Sequence, residues 1–165
     1  MPSPDRLVIN TSPLLAIIAG CGSLAPIEGM YLDVLVPKEV VEEIDAGGPH
    51  GFGAAELTAA GWLRRWPAPV LPSPLLRNSL DKGEAAVIQL AINEGIGTVC
   101  IDESVGRRLA RLCGLQVTGS IGLLLRARHE GRIPSVRHAM DQMRARGIWL
   151  SDAVIAFALR ESGEV

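Results

Sequence analysis

From Asp81 onward the chain alternates between helical and extended periodicity with short breaks. DKGEAAVIQLAINEG reads as a helix, GTVCID as a strand, ESVGRRLARLCG as a helix, LQVTG as a strand and SIGLLLRARHEG as a helix. Strands joined by single helices pair in parallel through right-handed crossovers, so this half alone commits the chain to an α/β architecture. The helix after Gly83 is apolar almost all round, from Ala85 to Ile92. It must be buried on most faces, and Glu84 at its start then lies near the interior or a crevice.

The first half supplies further elements of the same kind. Leu7–Ile9 is a short β-branched run followed by a helical segment with apolar positions 14, 15, 17 and 18, and LDVLVP is extended before the helix KEVVEEI, with Pro37 in its first turn. A weak helix is expected over 54–60 and an extended piece over Trp62–Trp66. The four prolines of PAPVLPSP forbid regular structure and make a surface connection. Two more helices, PSVRHAMDQMRARG and SDAVIAFALRESG, close the chain, each ended by a glycine. One domain over residues 1–165 is expected, with neither flank of the proline-rich stretch able to make a core alone. Aromatic residues are 4% against 48% hydrophobic overall, so that core must be packed from Ala, Val, Leu and Ile.

Several function classes are excluded or disfavoured at this stage. The longest apolar run, near Leu14–Ala19, is too short to cross a bilayer, and the opening MPSPDR lacks the succession of a secretory signal, so the protein reads as soluble and cytoplasmic. Cys21, Cys100 and Cys113 show no CxxC spacing and sit among apolar residues, as reduced core thiols do. His50, His129 and His138 show no metal-binding spacing, and no GxGxxG follows the first strand, which argues against a nucleotide-binding domain. AGGPHGFG lacks the GK[ST] ending of a phosphate loop and reads as a mobile loop.

Charge is uneven although the net is −2: nine arginines stand between Arg107 and Arg146 against Glu130 and Asp141. Arginine outnumbers lysine fourteen to two. Guanidinium forks suit phosphate, so an anionic partner is plausible, with solvated helix faces as the plain alternative. Arg107, Arg108 and Arg111 lie close to the strand end at Asp102; they either hold a phosphate backbone or pair with carboxylates such as Glu103. GSIG before LLLRAR is either a generic anion site at a helix start or a close-packing device.

Within LVINTSPLLAII, three small polar residues interrupt an apolar segment. Ser12 as N-cap with Pro13 next would start the helix, which leaves Asn10 unexplained at a strand end, where open α/β sheets bind ligands. GTVCID delivers a second polar strand end, Asp102 followed by Glu103. If the two strands are neighbours, Asn10 and Asp102 share a crevice that Glu43 and Glu84 reach from helices. Each has a structural alternative: Asp102 as an N-cap, Glu84 in a capping-box-like DKGE, Glu43 on a solvated helix face, Asn10 as a turn former.

VINTSPLLAI, VPKEVVEEI, LDKGEAAVIQLA, VCIDESVGRRLA and VTGSIGLLLRARHEG, in this order, resemble the PIN-domain superfamily, and more narrowly its PIN-like branch of predicted nucleic-acid-binding proteins related to toxin ribonucleases. The resemblance runs from Leu7 to about Glu164. It implies a three-layer α/β/α sandwich around a parallel sheet of four or five strands, with two extra C-terminal helices. It also implies a Mg²⁺- or Mn²⁺-dependent endoribonuclease cutting single-stranded RNA. By motif, Asn10, Glu43, Glu84 and Asp102 take the four acidic positions, with Glu43, Glu84 and Asp102 as metal ligands, Ser12 and Glu103 beside them, and Arg107, Arg108 and Arg111 for nucleic acid. Asn10 departs from the acidic pattern. It supplies a carbonyl oxygen but no charge, and an inactive RNA- or protein-binding module is the competing expectation. The resemblance further implies a small antitoxin partner and a homodimer, with the region of Met140, Met143, Trp149 and Phe157 offering either a surface or core packing.

Overall fold

The computed structural model describes residues 6–165; Met1 to Asp5, and with them most of the MPSPDR reading, lie outside the described residues. Five strands form one sheet: β1 (Arg6–Ile9), β2 (Asp33–Val36), β3 (Arg64–Arg65), β4 (Thr98–Cys100) and β5 (Gln116–Thr118). Their order is β3-β2-β1-β4-β5 and every pairing is parallel. The direction of strand succession reverses between β1 and β4, which makes that boundary the switch point where such sheets open a crevice. Register there is set by Val8 opposite Val99 and Ile9 opposite Cys100, and Asn10 continues it by donating its backbone N–H to Cys100 O at 3.0 Å.

Helices cover both faces of the sheet. On one side α5 (Lys82–Glu94) packs on β1 and β4, with α4 (Pro74–Ser79) and α6 (Ser104–Leu112) beside it. On the other, α1 (Thr11–Cys21) packs against α7 (Ser120–His129) and α8 (Val136–Ala145), and α9 (Asp152–Ser162) closes over α7 and α8. Two further helices, α2 (Lys38–Asp45) and α3 (Ala54–Ala59), lie in the β2–β3 connection. This is the expected three-layer sandwich. Its core is aliphatic, as the scarcity of rings requires: Leu7, Ile9, Leu14, Leu35, Ile88 and Ile101 are among its fully enclosed side chains. Close approach of α1 to α8 depends on Gly20, where a methyl group would stand 3.0 Å from Ala139 O.

Three local expectations change. Pro74, last of the proline run, begins α4 behind the cap Ser73, because proline at a first helical position forfeits no intrahelical bond. Glu39, expected on a solvated helix, is buried and its Oε2 accepts from Val70 N–H at 2.9 Å, pinning the proline-rich stretch. As expected, α5 is buried on most faces, from Gly83 to Ala91 apart from Gln89, with Ile92 exposed. Only Cys100 is a buried thiol; Cys21 is partly covered and Cys113, at the end of α6, is exposed.

Candidate active site

Asn10 occupies the N-cap position of α1, with Thr11 and Ser12 inside the helix, so Ser12 is not the cap. Its side chain makes no capping hydrogen bond, and its Oδ1 is buried without a partner. A desolvated amide oxygen left unpaired costs on the order of 1–3 kcal/mol, which calls for a compensating group. Beside it, the Thr11 hydroxyl donates to Glu43 Oε2 at 2.9 Å, drawing a residue of α2 to the end of β1. Both oxygens face Gly83 at the start of α5. A methyl group there would stand 3.2 Å from Glu43 Oε2, 3.3 Å from Asn10 Oδ1 and 3.6 Å from Asp81 Oδ1. Only a residue without a side chain leaves that space open.

Asp81 caps α5 by accepting from Glu84 N–H at 2.8 Å, as DKGE suggests. Glu84 itself is buried. Its carboxyl is pushed up to about 8, first by burial, then by a side-chain hydrogen bond and the charge of Asp81, and then by the charges of Glu103 and Glu43. Against it lies Gly106 of α6, where a methyl group would come within 2.5 Å of Glu84 Oε2. Among the described residues none of Glu43, Asp81, Glu84, Asp102 or Glu103 forms an ion pair. Glu43, Asp81 and Glu103 therefore have no cation of the described chain paired with them.

Asp102 goes elsewhere. Its Oδ1 accepts from Ser120 N–H at 2.8 Å, so it caps α7, not the helix that follows it in sequence. Burial of the carboxyl pushes its pKa up, opposed by the Ser120 hydrogen bonds and by Arg107. Arg107 Nη1 donates to Ile101 O at 2.8 Å, and a methyl group on Gly119 would stand 2.6 Å from Asp102 Oδ1 and 2.7 Å from Arg107 Nη1. The GSIG helix start thus already holds an anion, supplied by the chain. Arg107, Arg108 and Arg111 form no ion pair with Glu103 or any other described carboxylate. Arg107 is half-buried, while Arg108 and Arg111 are exposed.

Two compartments result. Asn10, Glu43, Asp81 and Glu84 gather around Gly83. Beside them opens a crevice of about 980 Å³ whose lining includes Ser12, Asp102, Glu103, Arg107, His50 and Trp149. Glu103, in the cap position of α6, belongs to the crevice and also acts electrostatically on Glu84. Sequence reading missed the parts of Thr11, Asp81 and Ser120. Asp81 alone carried a signal, as the first residue of DKGE. Of the proposed contact region, Met140 and Met143 are buried, whereas Trp149 and Phe157 are exposed.

Among the described residues no three His, Cys, Asp or Glu side chains stand close enough to enclose a metal ion by themselves. The chemistry still fits a hard cation that keeps much of its water: oxygen donors only, an orphaned amide oxygen, and a carboxyl whose ionisation is held back first by burial and then by neighbouring negative charge.

No helix among the described residues is long and apolar enough to cross a membrane. A family model described as a PIN domain matches residues 6–164. No curated protein matches the chain.

Proposed function

The chain belongs to the PIN-domain family, and from that premise, which carries a nuclease-like function, we propose that it is a divalent-cation-dependent endonuclease acting on single-stranded RNA. The observation that carries the reading is the buried, partnerless Asn10 Oδ1 sharing the open face of Gly83 with Glu43 Oε2. Asn10, Glu43 and Glu84 would hold Mg²⁺ or Mn²⁺, with Asp102 and Glu103 on the adjoining crevice. When bound, such a cation neutralises phosphate charge and lowers the pKa of water.

The remaining work falls to the protein. Thr11 fixes the Glu43 carboxylate through its hydroxyl. Burial keeps a proton on Glu84 near neutral pH, which limits repulsion within the pocket until a cation arrives. Arg107, tied to Ile101 O by one N–H, has further N–H groups for a phosphate oxygen at the crevice.

Labelled single-stranded RNA incubated with Mg²⁺, Mn²⁺ or EDTA tests the proposal. Cleavage that needs metal and is lost in Glu84→Gln supports it; intact RNA under every condition overturns it. One observation favours a second reading, a binding module without catalysis: the first acidic position is the neutral Asn10, and no trio of acidic or imidazole ligands is assembled among the described residues. Asn10→Asp decides between them, since metal-dependent cleavage appearing only in that variant identifies the native chain as a binder. A toxin role, with a small antitoxin partner and a homodimer, belongs to the same proposal and rests on the family resemblance; co-purification with the product of a neighbouring gene tests it.

A further inference from the structure

Trp149 is the most exposed aromatic residue of the described chain, at 83%, and it stands in the turn between α8 and α9. Ile148 and Leu150 on either side pack against the core, while the indole does not. The turn is therefore anchored and the ring is held outward. From α9, Val154 and Phe157 extend the same apolar wall, at 36% and 44% exposure. All three line the crevice that also holds Ser12, Asp102 and Arg107.

A wall of this kind needs an occupant that is apolar on one side and polar on the other. An apolar helix of a partner protein would bury Glu103 without compensation, which is costly. A single strand of nucleic acid offers a ring face to the indole and phosphates to guanidinium groups. One such group lines the crevice: Arg107 on α6, which makes no ion pair among the described residues. Arg146, which lies 4.1 Å over the Phe52 ring, adds a cation beside the crevice residues His50 and Gly147.

We infer that Trp149, flanked by Phe157 and Val154, is a base-stacking platform for single-stranded nucleic acid lying in the crevice. The inference deepens the nuclease reading and rests on it for the cation that offsets Glu103. Its readout is binding, not cleavage, so the two fail separately.

Tryptophan emission of the full chain is followed in Ca²⁺, with a short uridine oligomer and with a sugar–phosphate oligomer of equal length that carries no bases. Trp62 and Trp66 are partly covered and give a constant background. The uridine oligomer should quench the emission and the baseless one should not. Read from the anisotropy of end-labelled oligomers, since these variants lack the reporting indole, Trp149→Ala should weaken the uridine oligomer about ten-fold while leaving the baseless oligomer unchanged, and Trp149→Phe should retain most of the affinity. Base-dependent quenching without any cleavage supports the platform and removes only the nuclease reading. Equal binding of the two oligomers, unaltered by Trp149→Ala, overturns the platform. So does emission that changes with protein concentration alone while Trp149→Ala lowers the particle mass, since a second copy then covers the wall.

Discussion

The Thr11 hydroxyl donates to Glu43 Oε2 at 2.9 Å, joining the end of the central strand to a helix 32 residues further along the chain. This bond orients the one carboxylate of the Gly83 cluster that comes from α2. Groups that orient metal ligands commonly alter affinity ten- to a hundred-fold when removed. Thr11→Val should therefore weaken Mn²⁺ binding by about ten-fold in calorimetric titration, and Thr11→Ser should restore it. Equal affinity in all three proteins would show that Glu43 is oriented by other means.

Glu84 makes the metal-free protein sensitive to pH. Its carboxyl sits at about 8 in the folded chain against 4.5 for the ordinary group, first because of burial. Below the lower value both folded and unfolded chains carry the proton. Between the two values only the folded chain keeps it, so stability falls as pH rises through this window and levels off above about 8. Urea unfolding in EDTA should show this decline, on the order of a few kcal/mol, and Glu84→Gln should flatten it. The same slope in the variant would assign the effect to another group.

Gly83→Ala separates stability from cation binding. The residue lies in the first turn of α5, and its backbone is not in the left-handed region. Alanine there gains about 1 kcal/mol at most in helical preference, offset by contacts of 3.2 and 3.3 Å that force Glu43 Oε2 and Asn10 Oδ1 to yield slightly. The melting temperature should change little while Mn²⁺ affinity drops at least about ten-fold, an effect of the size seen when metal-site supports are disturbed. Unchanged affinity would place the cation away from the Gly83 face.

Asp102 has two roles that substitutions distinguish. An amide oxygen can still accept from Ser120 N–H, so Asp102→Asn should keep the α7 cap and stay within about 0.5 kcal/mol of the native stability. Asp102→Ala should cost about 1–2 kcal/mol. If RNA cleavage disappears in Asp102→Asn despite native stability, the charge itself is needed; if cleavage persists, Asp102 serves α7 alone.

At the other end, Glu164 accepts from Val136 N–H at 2.9 Å and Arg137 N–H at 2.6 Å, capping α8 from the far side of α9. Burial acts to raise its pKa, but these N–H groups, Ser135 and Arg128 outweigh it and hold the carboxyl below its usual range. Its contribution is present above the ordinary glutamate pKa and lost as pH falls through the lowered one. Glu164→Gln should cost about 1 kcal/mol at neutral pH and nothing in acid, read from unfolding midpoints.

Much of this was legible in the linear chain because it depends on neighbours in sequence. Helix and strand periodicity, the turn glycines and DKGE are local, and they determined the α/β class, the parallel sheet and the position of Asn10 and Asp102 at strand ends. The aliphatic core follows equally from composition. Direction of a side chain across elements is not local. Asp102 reads as a cap for the residues just after it, yet it caps α7, because pairing of β4 with β5 brings Ser120 next to it. Thr11 carries no signal, since its partner is placed by the rotation of α2 about its own axis. Register between β1 and β4, and the bare face of Gly83 turned toward them, put Asn10, Glu43 and Asp81 around one point. Only packing decides such convergence, because it depends on distances that close when the whole sheet forms.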